Sequence, residues 1–205
     1  MALEGIDGAG KSTLARGVVR SLRRQGFRAV VRREPADRAL GRLAQEASRH
    51  EPWTGAVYFT VDRFLARPAL EQDLRRAEFV VTDRSYYSTL AYQGSALGAA
   101  AVQKIQELSS RATIEPDRVA FLDLPPSVAL GRLGQRGTGR GPLERRRTLE
   151  RVARRYRALA RLRGWLVLDA RRPEAELVQA VLDDLAARGP RRPMARGGRA
   201  SRERT

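Results

Sequence analysis

Cysteine is absent from this chain of 205 residues, histidine occurs once, and lysine occurs only as Lys11 and Lys104. Without cysteine, disulfides and thiolate metal sites are excluded, and the reducing cytoplasm is the expected compartment. No apolar run approaches the roughly 20 residues that a membrane-spanning helix needs. The N-terminus also lacks the basic segment of a signal peptide, and its apolar run ends at Glu4. The sequence therefore predicts a cytoplasmic protein that does not bind membranes.

Acidic residues are few, because 23 of them face 40 basic residues and leave a net charge of +17. The excess of positive charge is confined to two segments. Residues 132–163 carry twelve arginines against two glutamates, and residues 189–205 carry six arginines against one glutamate. The rest of the chain is close to neutral. A general coat of positive charge for nucleic-acid binding is therefore disfavoured, and two local basic elements need separate explanations.

Short apolar runs alternate with segments of helical period along the whole chain. The predicted strands are Met1–Gly5, Ala29–Arg33, Phe79–Thr82, Val119–Leu124 and Trp165–Leu168. The predicted helices are Ser12–Gln25, Arg38–Arg49, Ala56–Arg76 with a break at Pro68, Val102–Ala112, Ser127–Gln135, Leu143–Leu162 and Pro173–Ala187. This alternation favours an α/β fold with a five-stranded parallel sheet flanked by helices, and ligands at the carboxyl ends of its strands. We expect one domain over residues 1–188 and a basic, disordered tail over residues 189–205.

One segment matches a phosphate-binding pattern, G-x-x-x-x-G-K-[ST], at every position: Gly5-Ile6-Asp7-Gly8-Ala9-Gly10-Lys11-Ser12. It lies between a predicted strand and a predicted helix, which is the context of a P-loop and indicates a three-layer P-loop NTPase fold. Glycines let backbone N–H groups surround phosphate oxygens, and the helix N-terminus adds its positive dipole end. With Thr13, these residues form the predicted ATP site. The alternative is a tight turn without nucleotide.

Lys11 has a special position in this pattern, because arginine supplies nearly all other positive charge of the chain. A retained lysine suggests a site that needs a compact ammonium group. In a P-loop, Lys11 would contact the β- and γ-phosphates of ATP, and Ser12 would bind Mg²⁺. The motif by itself does not identify the phosphoryl acceptor.

Four further segments indicate that the acceptor is a nucleotide: Arg33-Glu34-Pro35, Phe59–Arg63, Asp83–Gly94, and Leu122–Pro126 with the arginine-bearing segment Arg132–Arg147 that follows it. Phe59 and Arg63 are one helical turn apart, so they share a helix face. An aromatic ring there can stack on a base, while a guanidinium can hold a phosphate. The alternatives are a core aromatic residue for Phe59 and a surface ion pair of Asp62 with Arg63.

At these segments, from Gly5 to about Asp169, the chain resembles the thymidylate kinase family. The most family-specific part is Asp83–Gly94, with its Ala-Tyr-Gln-Gly ending. The resemblance implies transfer of the γ-phosphoryl group of ATP to dTMP with Mg²⁺, by a homodimer. The sequence departs from the family pattern at Ala36-Asp37-Arg38, at Ser85 and at Gly139.

The resemblance also implies how dTMP is bound. Phe59 would stack on thymine, and Arg63 and Arg84 would hold the phosphate. Tyr92 would lie under the sugar, where its ring leaves no room for a 2′-hydroxyl. The other implied dTMP residues are Asp7, Arg33, Glu34, Pro35, Ser88, Thr89 and Gln93.

Carboxylates complete the implied centre. Asp83 would lie near the metal or the attacking oxygen, and Asp7 near the sugar hydroxyl or the metal. The implied metal ligands are thus Ser12, Asp7 and Asp83. The residues expected to be catalytic are Lys11, Asp83, Arg84 and Arg140.

Residues 136–142 contain three glycines and two arginines, which suits the lid that a kinase of this type closes over the phosphates. We expect this lid over about residues 136–147. Since Ala9 stands where some family members have arginine, the catalytic arginine is expected from the lid, first Arg140 and then Arg136. Arg132 resembles the family residue that stacks on adenine. The alternative is a solvated basic helix.

Two other functions remain open from the sequence. One is a kinase of another nucleotide or of a deoxynucleoside, because Asp83-Arg84-Ser85 is similar to an acidic-Arg-Ser motif of deoxynucleoside kinases. A free nucleoside, however, would leave Arg63 without a phosphate to hold. The other is a P-loop nucleic-acid-binding protein, which predicts binding with a steep salt dependence. It would leave the acceptor residues without a role.

Overall fold

The structure is a computed structural model that describes residues 1–134 and 142–188. The predicted lid residues Arg136 and Arg140, Gly139 between them and the predicted tail 189–205 lie outside the described residues.

In the described part of the chain, five parallel strands form one sheet in the order β2-β3-β1-β4-β5. The strands are β1 (Ala2–Glu4), β2 (Ala29–Arg33), β3 (Phe79–Asp83), β4 (Val119–Asp123) and β5 (Leu166–Asp169). The predicted α/β fold is therefore confirmed. Because β1 lies at the centre, the segments that follow β1, β3 and β4 meet at one edge of the sheet, where α/β proteins bind ligands.

The strands are apolar because helices cover the sheet on both faces. All of β1 is buried, and Ala120, Phe121 and Leu122 of β4 are buried as well. The helices are α1 (Lys11–Arg24), α2 (Arg38–His50), α3 (Pro52–Arg76), α4 (Tyr86–Tyr92), α5 (Gly94–Leu97), α6 (Ala99–Ala112), α7 (Pro126–Leu133), α8 (Pro142–Arg163) and α9 (Glu174–Arg188). Within the described ranges, no helix is both long enough and apolar enough to span a membrane.

Helix α3 differs from its prediction, since it begins at Pro52 rather than Ala56 and continues through Pro68 without a break. Its start is fixed by Glu51, whose carboxylate accepts hydrogen bonds from the backbone N–H groups of Trp53 and Thr54. Pro68 removes one backbone hydrogen bond, but α3 packs against α2 and α6. This packing offsets the lost bond and keeps the helix continuous.

Helix α4 was not predicted from the sequence. Seven residues are too few to form a stable helix alone, so tertiary packing must hold it. Tyr86, Tyr87, Leu90 and Ala91 are all buried, and Ser85 caps the N-terminus by accepting from the N–H of Tyr87 at 3.4 Å. This helix carries Ser88, Thr89 and Tyr92 of the predicted acceptor site, so the packing also positions functional residues.

Candidate active site

The phosphate loop joins β1 to α1 at the centre of the sheet edge. Gly5 has a φ of +149°, and a Cβ there would lie 2.7 Å from the carbonyl oxygen of Leu122, so only glycine fits. The Lys11 side chain is nearly buried, and its Nζ donates to the carbonyl oxygen of Ile6 at 2.8 Å. The lysine therefore folds back over the loop.

The environment of Lys11 lowers the pKa of its ammonium group. The pKa of the ammonium is lowered from 10.5 to about 8, because burial and the Arg84 guanidinium outweigh the opposing charges of Asp7, Asp83 and Glu4. An anion bound beside Lys11 would reverse this effect. The lysine is thus suited to phosphate oxygens, which favour its charged form.

Ser12 and Asp83 come together because β1 and β3 are neighbours in the sheet. The Ser12 hydroxyl donates to Asp83 Oδ2. Together they offer a hydroxyl and a carboxylate oxygen, and Mg²⁺ at a nucleotide takes one or two such protein ligands besides phosphates and water. Among the described residues, no group of three or more His, Cys, Asp or Glu side chains could hold a metal by itself. Nucleotide-dependent metal binding suits this donor set.

Arg84 lies where β3 ends and contacts the phosphate loop. Its Nη2 donates to Asp7, and its guanidinium carbon lies 5.2 Å from the ring centroid of Tyr92. The phenol oxygen of Tyr92 in turn accepts from the backbone N–H of Asp7 at 3.0 Å. Arg84 has a φ of +80°, which a non-glycine residue rarely adopts and which often marks functional residues.

These contacts also set the charge of Asp7. Burial would raise the pKa of its carboxyl, but the charges of Arg84 and Lys11 outweigh burial and lower the pKa below its ordinary value. Asp7 is therefore a carboxylate at neutral pH. The structure brings two predicted phosphate-binding cations, Lys11 and Arg84, to the same carboxylate.

Arg63 is buried in α3 and faces the segment after β2. Its Nε donates to Glu34 Oε2 at 2.7 Å, and its Nη2 donates to Thr89 Oγ1 at 2.9 Å. Its Nη1 is buried and has no hydrogen-bond partner among the residues that the structure describes. A buried guanidinium nitrogen without a partner is rare in proteins, and an anionic ligand would satisfy it.

The alternative of a surface ion pair between Asp62 and Arg63 is wrong. Both residues are buried, and Asp62 accepts hydrogen bonds from the backbone N–H groups of Ala36 and Asp37, at 2.9 and 2.8 Å. Asp62 therefore holds the segment where this chain departs from the family pattern. The pKa of the neighbouring Glu34 is raised, because its burial outweighs the charge of Arg63.

The remaining predicted acceptor residues surround these charges. Phe59 lies half-buried on α3, one turn before Arg63. Gln93 is buried; its Nε2 donates to Ser48 Oγ at 3.0 Å, and its Oε1 has no partner in the described part of the chain. At the end of β2, Arg33 is exposed, whereas Glu34 and Pro35 are half-buried. Gln93 thus keeps a free acceptor atom for a ligand.

Arg132, predicted to stack on adenine, lies on the other side of the phosphate loop. Its guanidinium donates to the carbonyl oxygens of Gly8 and Ala170, both at 3.3 Å. It therefore bridges the phosphate loop and the segment after β5. Its role beside adenine stays a prediction.

Two polar residues of the site were not predicted from the sequence. Glu4, the last residue of β1, is fully buried behind Arg84, and Tyr156 of α8 donates to it at 2.9 Å. Glu4 could have been suspected, because a carboxylate directly after an apolar strand and before a phosphate loop is costly to bury. Tyr156 has no such signal, since an aromatic residue within a helix is most often core.

The sequence that carries these residues matches a known protein family. The family model described as thymidylate kinase matches residues 3–181. The chain belongs to the thymidylate kinase family. A probable thymidylate kinase of Sulfurisphaera tokodaii is 35% identical over 180 residues, which cover 87% of this chain and 91% of that protein. The same description applies to a relative from Archaeoglobus fulgidus, 34% identical over 88% of this chain and 91% of its own.

A thymidylate kinase of Xanthomonas campestris pv. campestris is 35% identical over 90% of this chain and 85% of its own length. The similarity thus extends to a bacterial relative and covers phosphate loop and acceptor residues together. It confirms the resemblance inferred from the sequence. The chain is an enzyme, a nucleoside monophosphate kinase.

Proposed function

We propose that this chain transfers the γ-phosphoryl group of ATP to dTMP and yields ADP and dTDP, in the cytoplasm. The observation that supports this most directly is the unpaired, buried Nη1 of Arg63, beside Glu34 and Thr89 and on the same sheet edge as the phosphate loop. A P-loop alone needs no second phosphate site. A kinase of a nucleoside monophosphate does.

On the donor side, the backbone of Gly5–Ser12 would bind the phosphates of ATP, with Thr13 behind it and Arg132 beside the adenine. Lys11 would contact the β- and γ-phosphates. Ser12 and Asp83 would hold Mg²⁺, with Asp7 nearby. When bound, the ion neutralises charge on the β- and γ-phosphate oxygens.

On the acceptor side, Arg63 and Arg84 would hold the phosphate of dTMP and keep its oxygen in line with the γ-phosphate. Phe59 would stack on the base, Thr89 and Gln93 would contact its edge, and Tyr92 would lie under the deoxyribose. Phosphoryl transfer needs positioning and charge stabilisation more than a protein base. Asp83 and Asp7 therefore act on position and charge, and Arg140, with Arg136, is proposed to add charge from the lid.

A homodimer is part of the proposal, and one face of α3 suits it. Large apolar side chains recur there at helical spacing and are exposed, with Phe64 at 47% and Leu65 at 70% of full exposure. Val57 and Val61 continue the same stripe. A contiguous apolar stripe of this kind is typical of a protein interface, and a second copy of the chain is the proposed occupant.

The test is an assay of ADP release with ATP and Mg²⁺ and with one acceptor at a time: dTMP, dUMP, dCMP, dGMP, dAMP, UMP or thymidine. Turnover with dTMP well above all others is expected. Preferential turnover of another monophosphate would refute the base assignment, and preferential turnover of thymidine would refute the phosphate role of Arg63. ATP binding without transfer to any acceptor would refute the kinase proposal itself.

A further inference from the structure

Glu4 holds an unusual position, because its carboxylate is completely buried at the end of the central strand. Four hydrogen bonds satisfy it. Oε1 accepts from the backbone N–H and the hydroxyl of Ser85, both at 2.7 Å, and Oε2 accepts from Ser88 Oγ at 2.7 Å and from the Tyr156 hydroxyl at 2.9 Å. A buried charge is weak support for stability, since desolvation offsets the gain from its contacts. We therefore ask which neighbouring groups the Glu4 carboxylate orients.

The two hydroxyls on Oε2 connect Glu4 to Arg84. Arg84 Nη1 donates to Ser88 Oγ at 2.9 Å and to the Tyr156 hydroxyl at 3.4 Å. A hydroxyl has one proton to donate, and the two hydroxyl oxygens also lie 2.9 Å from each other. Because the Glu4 carboxylate is the stronger acceptor, both protons point to it. The lone pairs of both oxygens are therefore free to accept from Arg84. The negative charge of Glu4 orients two neutral groups as acceptors for the guanidinium.

This arrangement joins three elements of the fold. Glu4 ends β1, Ser88 lies in α4 and Tyr156 in α8. The Tyr156 ring stacks on Phe121 of β4, with centroids 5.5 Å apart and an interplanar angle of 22°. The phenol oxygen is therefore held in place by the core rather than by its hydrogen bonds alone.

We propose that Glu4 is a positioning residue, which fixes the guanidinium of Arg84 on the acceptor phosphate through the hydroxyls of Ser88 and Tyr156. The inference rests on the proposed function, in which Arg84 binds the phosphate of dTMP. Glu4 acts through Arg84 and not on the nucleoside. Its loss therefore weakens recognition of the phosphate and spares recognition of base and sugar.

The test compares the binding of dTMP with that of thymidine by calorimetric titration of the wild-type protein and of Glu4→Gln. Glutamine keeps the shape but removes the charge, and one side of its amide is a donor. Because the backbone N–H of Ser85 can only donate, the amide oxygen faces Ser85 and the amide NH2 faces Ser88 and Tyr156. Those two hydroxyls must then turn their protons away from the amide, toward Arg84. We expect dTMP to bind about tenfold more weakly, because one charge-assisted contact is lost. Thymidine should bind within about twofold of wild type. An equal loss for both ligands, or no loss for either, would overturn the proposal.

A second variant keeps the proposal testable if Glu4→Gln does not fold. Tyr156→Phe retains the ring on Phe121 and removes only the hydroxyl, so we expect a smaller loss, about threefold, again for dTMP alone. In the double variant the losses should not add, because both substitutions act on one network. Additive losses would contradict the proposed route through Tyr156.

The matched control is Tyr87→Phe. Tyr87 lies in α4 as Ser88 does, but its hydroxyl donates to Glu115, at 2.8 Å, before β4. This variant should leave the ratio of dTMP to thymidine affinity unchanged. If it lowers the ratio as Tyr156→Phe does, the effect belongs to the stability of α4 and the positioning role is wrong.

Kinetics distinguish this proposal from the proposed function. If the wild-type protein neither binds nor phosphorylates dTMP, the proposed function itself fails. If the wild-type protein does both and Glu4→Gln has an unchanged KM for dTMP, only the role of Glu4 fails. The expected result is a higher KM for dTMP with the KM for ATP within about twofold of wild type.

Discussion

The two sides of the phosphoryl-transfer site are built differently. The proposed donor side is one continuous loop, Gly5–Ser12, made of backbone groups and a single ammonium. The acceptor side consists of side chains from the end of β2, from α3 and from α4, and several of its charges are buried. A site made of backbone is encoded locally, whereas a site made of side chains must be assembled by the fold.

The two sides also differ in how their charged side chains are paired. On the acceptor side, the buried Arg63 guanidinium pairs with the half-buried Glu34 carboxylate, and removal of Glu34 would leave a buried charge uncompensated. On the donor side, Lys11 has a carbonyl oxygen as its hydrogen-bond partner. Substitutions should therefore separate the two sides: donor changes act on turnover, and acceptor changes act on the KM of one substrate.

The largest effect is expected for Lys11→Ala. No other side chain of the loop can neutralise the β- and γ-phosphates, so kcat should fall by at least about a thousandfold, the size of effect seen when a group that stabilises the transition state is removed. The control is Lys104→Ala, which removes the only other lysine, an exposed residue of α6. Steady-state assay of both variants is the measurement. Normal turnover by Lys11→Ala would contradict the phosphate-loop assignment.

Arg63→Ala should act on the acceptor alone. Loss of a buried phosphate contact is expected to raise the KM for dTMP about a hundredfold, with the KM for ATP within about threefold of wild type. Arg67→Ala, one turn later on α3, is the control, because Arg67 pairs with Glu71 at the surface. Equal changes in both KM values would mean that Arg63 supports the whole site rather than the acceptor phosphate.

Tyr92→Ala should reduce the preference for deoxyribonucleotides by about tenfold, since space for a 2′-hydroxyl would open under the sugar. The measurement is the ratio of kcat/KM for dUMP over UMP. Tyr92→Phe keeps the ring and loses the hydroxyl contacts with the N–H of Asp7 and with Arg84, so it should keep the preference. If the deoxy preference survives in Tyr92→Ala, the ring has a packing role only.

The smallest expected effect is proton uptake by Lys11 when ATP binds. In the free protein burial lowers the pKa of Lys11 to about 8, and bound phosphates should raise it again. ATP binding at pH 8 should therefore take up as much as about half a proton, and ATP affinity should decrease as the pH rises above 8. Titration calorimetry in two buffers of different ionisation enthalpy measures this uptake. Proton uptake that persists in Lys11→Ala would assign it to another group.

The predicted elements agree with the structure wherever the signal is local. The five strands and the phosphate loop were predicted because apolar runs and a motif of eight residues are each read within one short segment. Helix α3 extended beyond its prediction because Glu51 caps it earlier and tertiary packing offsets Pro68. Helix α4 was missed because seven residues have no detectable period and depend on burial.

By itself, the sequence determined the sheet and the phosphate-loop motif and predicted the acceptor residues, since contiguous residues carry these patterns. Only the tertiary structure decided how the acceptor charges are paired: Asp62 with the backbone of Ala36 and Asp37, Arg63 with Glu34 and Thr89, and Glu4 with Arg84 through two hydroxyls. The reason is physical. A buried charge must find partners within hydrogen-bond distance, and those partners lie up to 152 positions away along the chain.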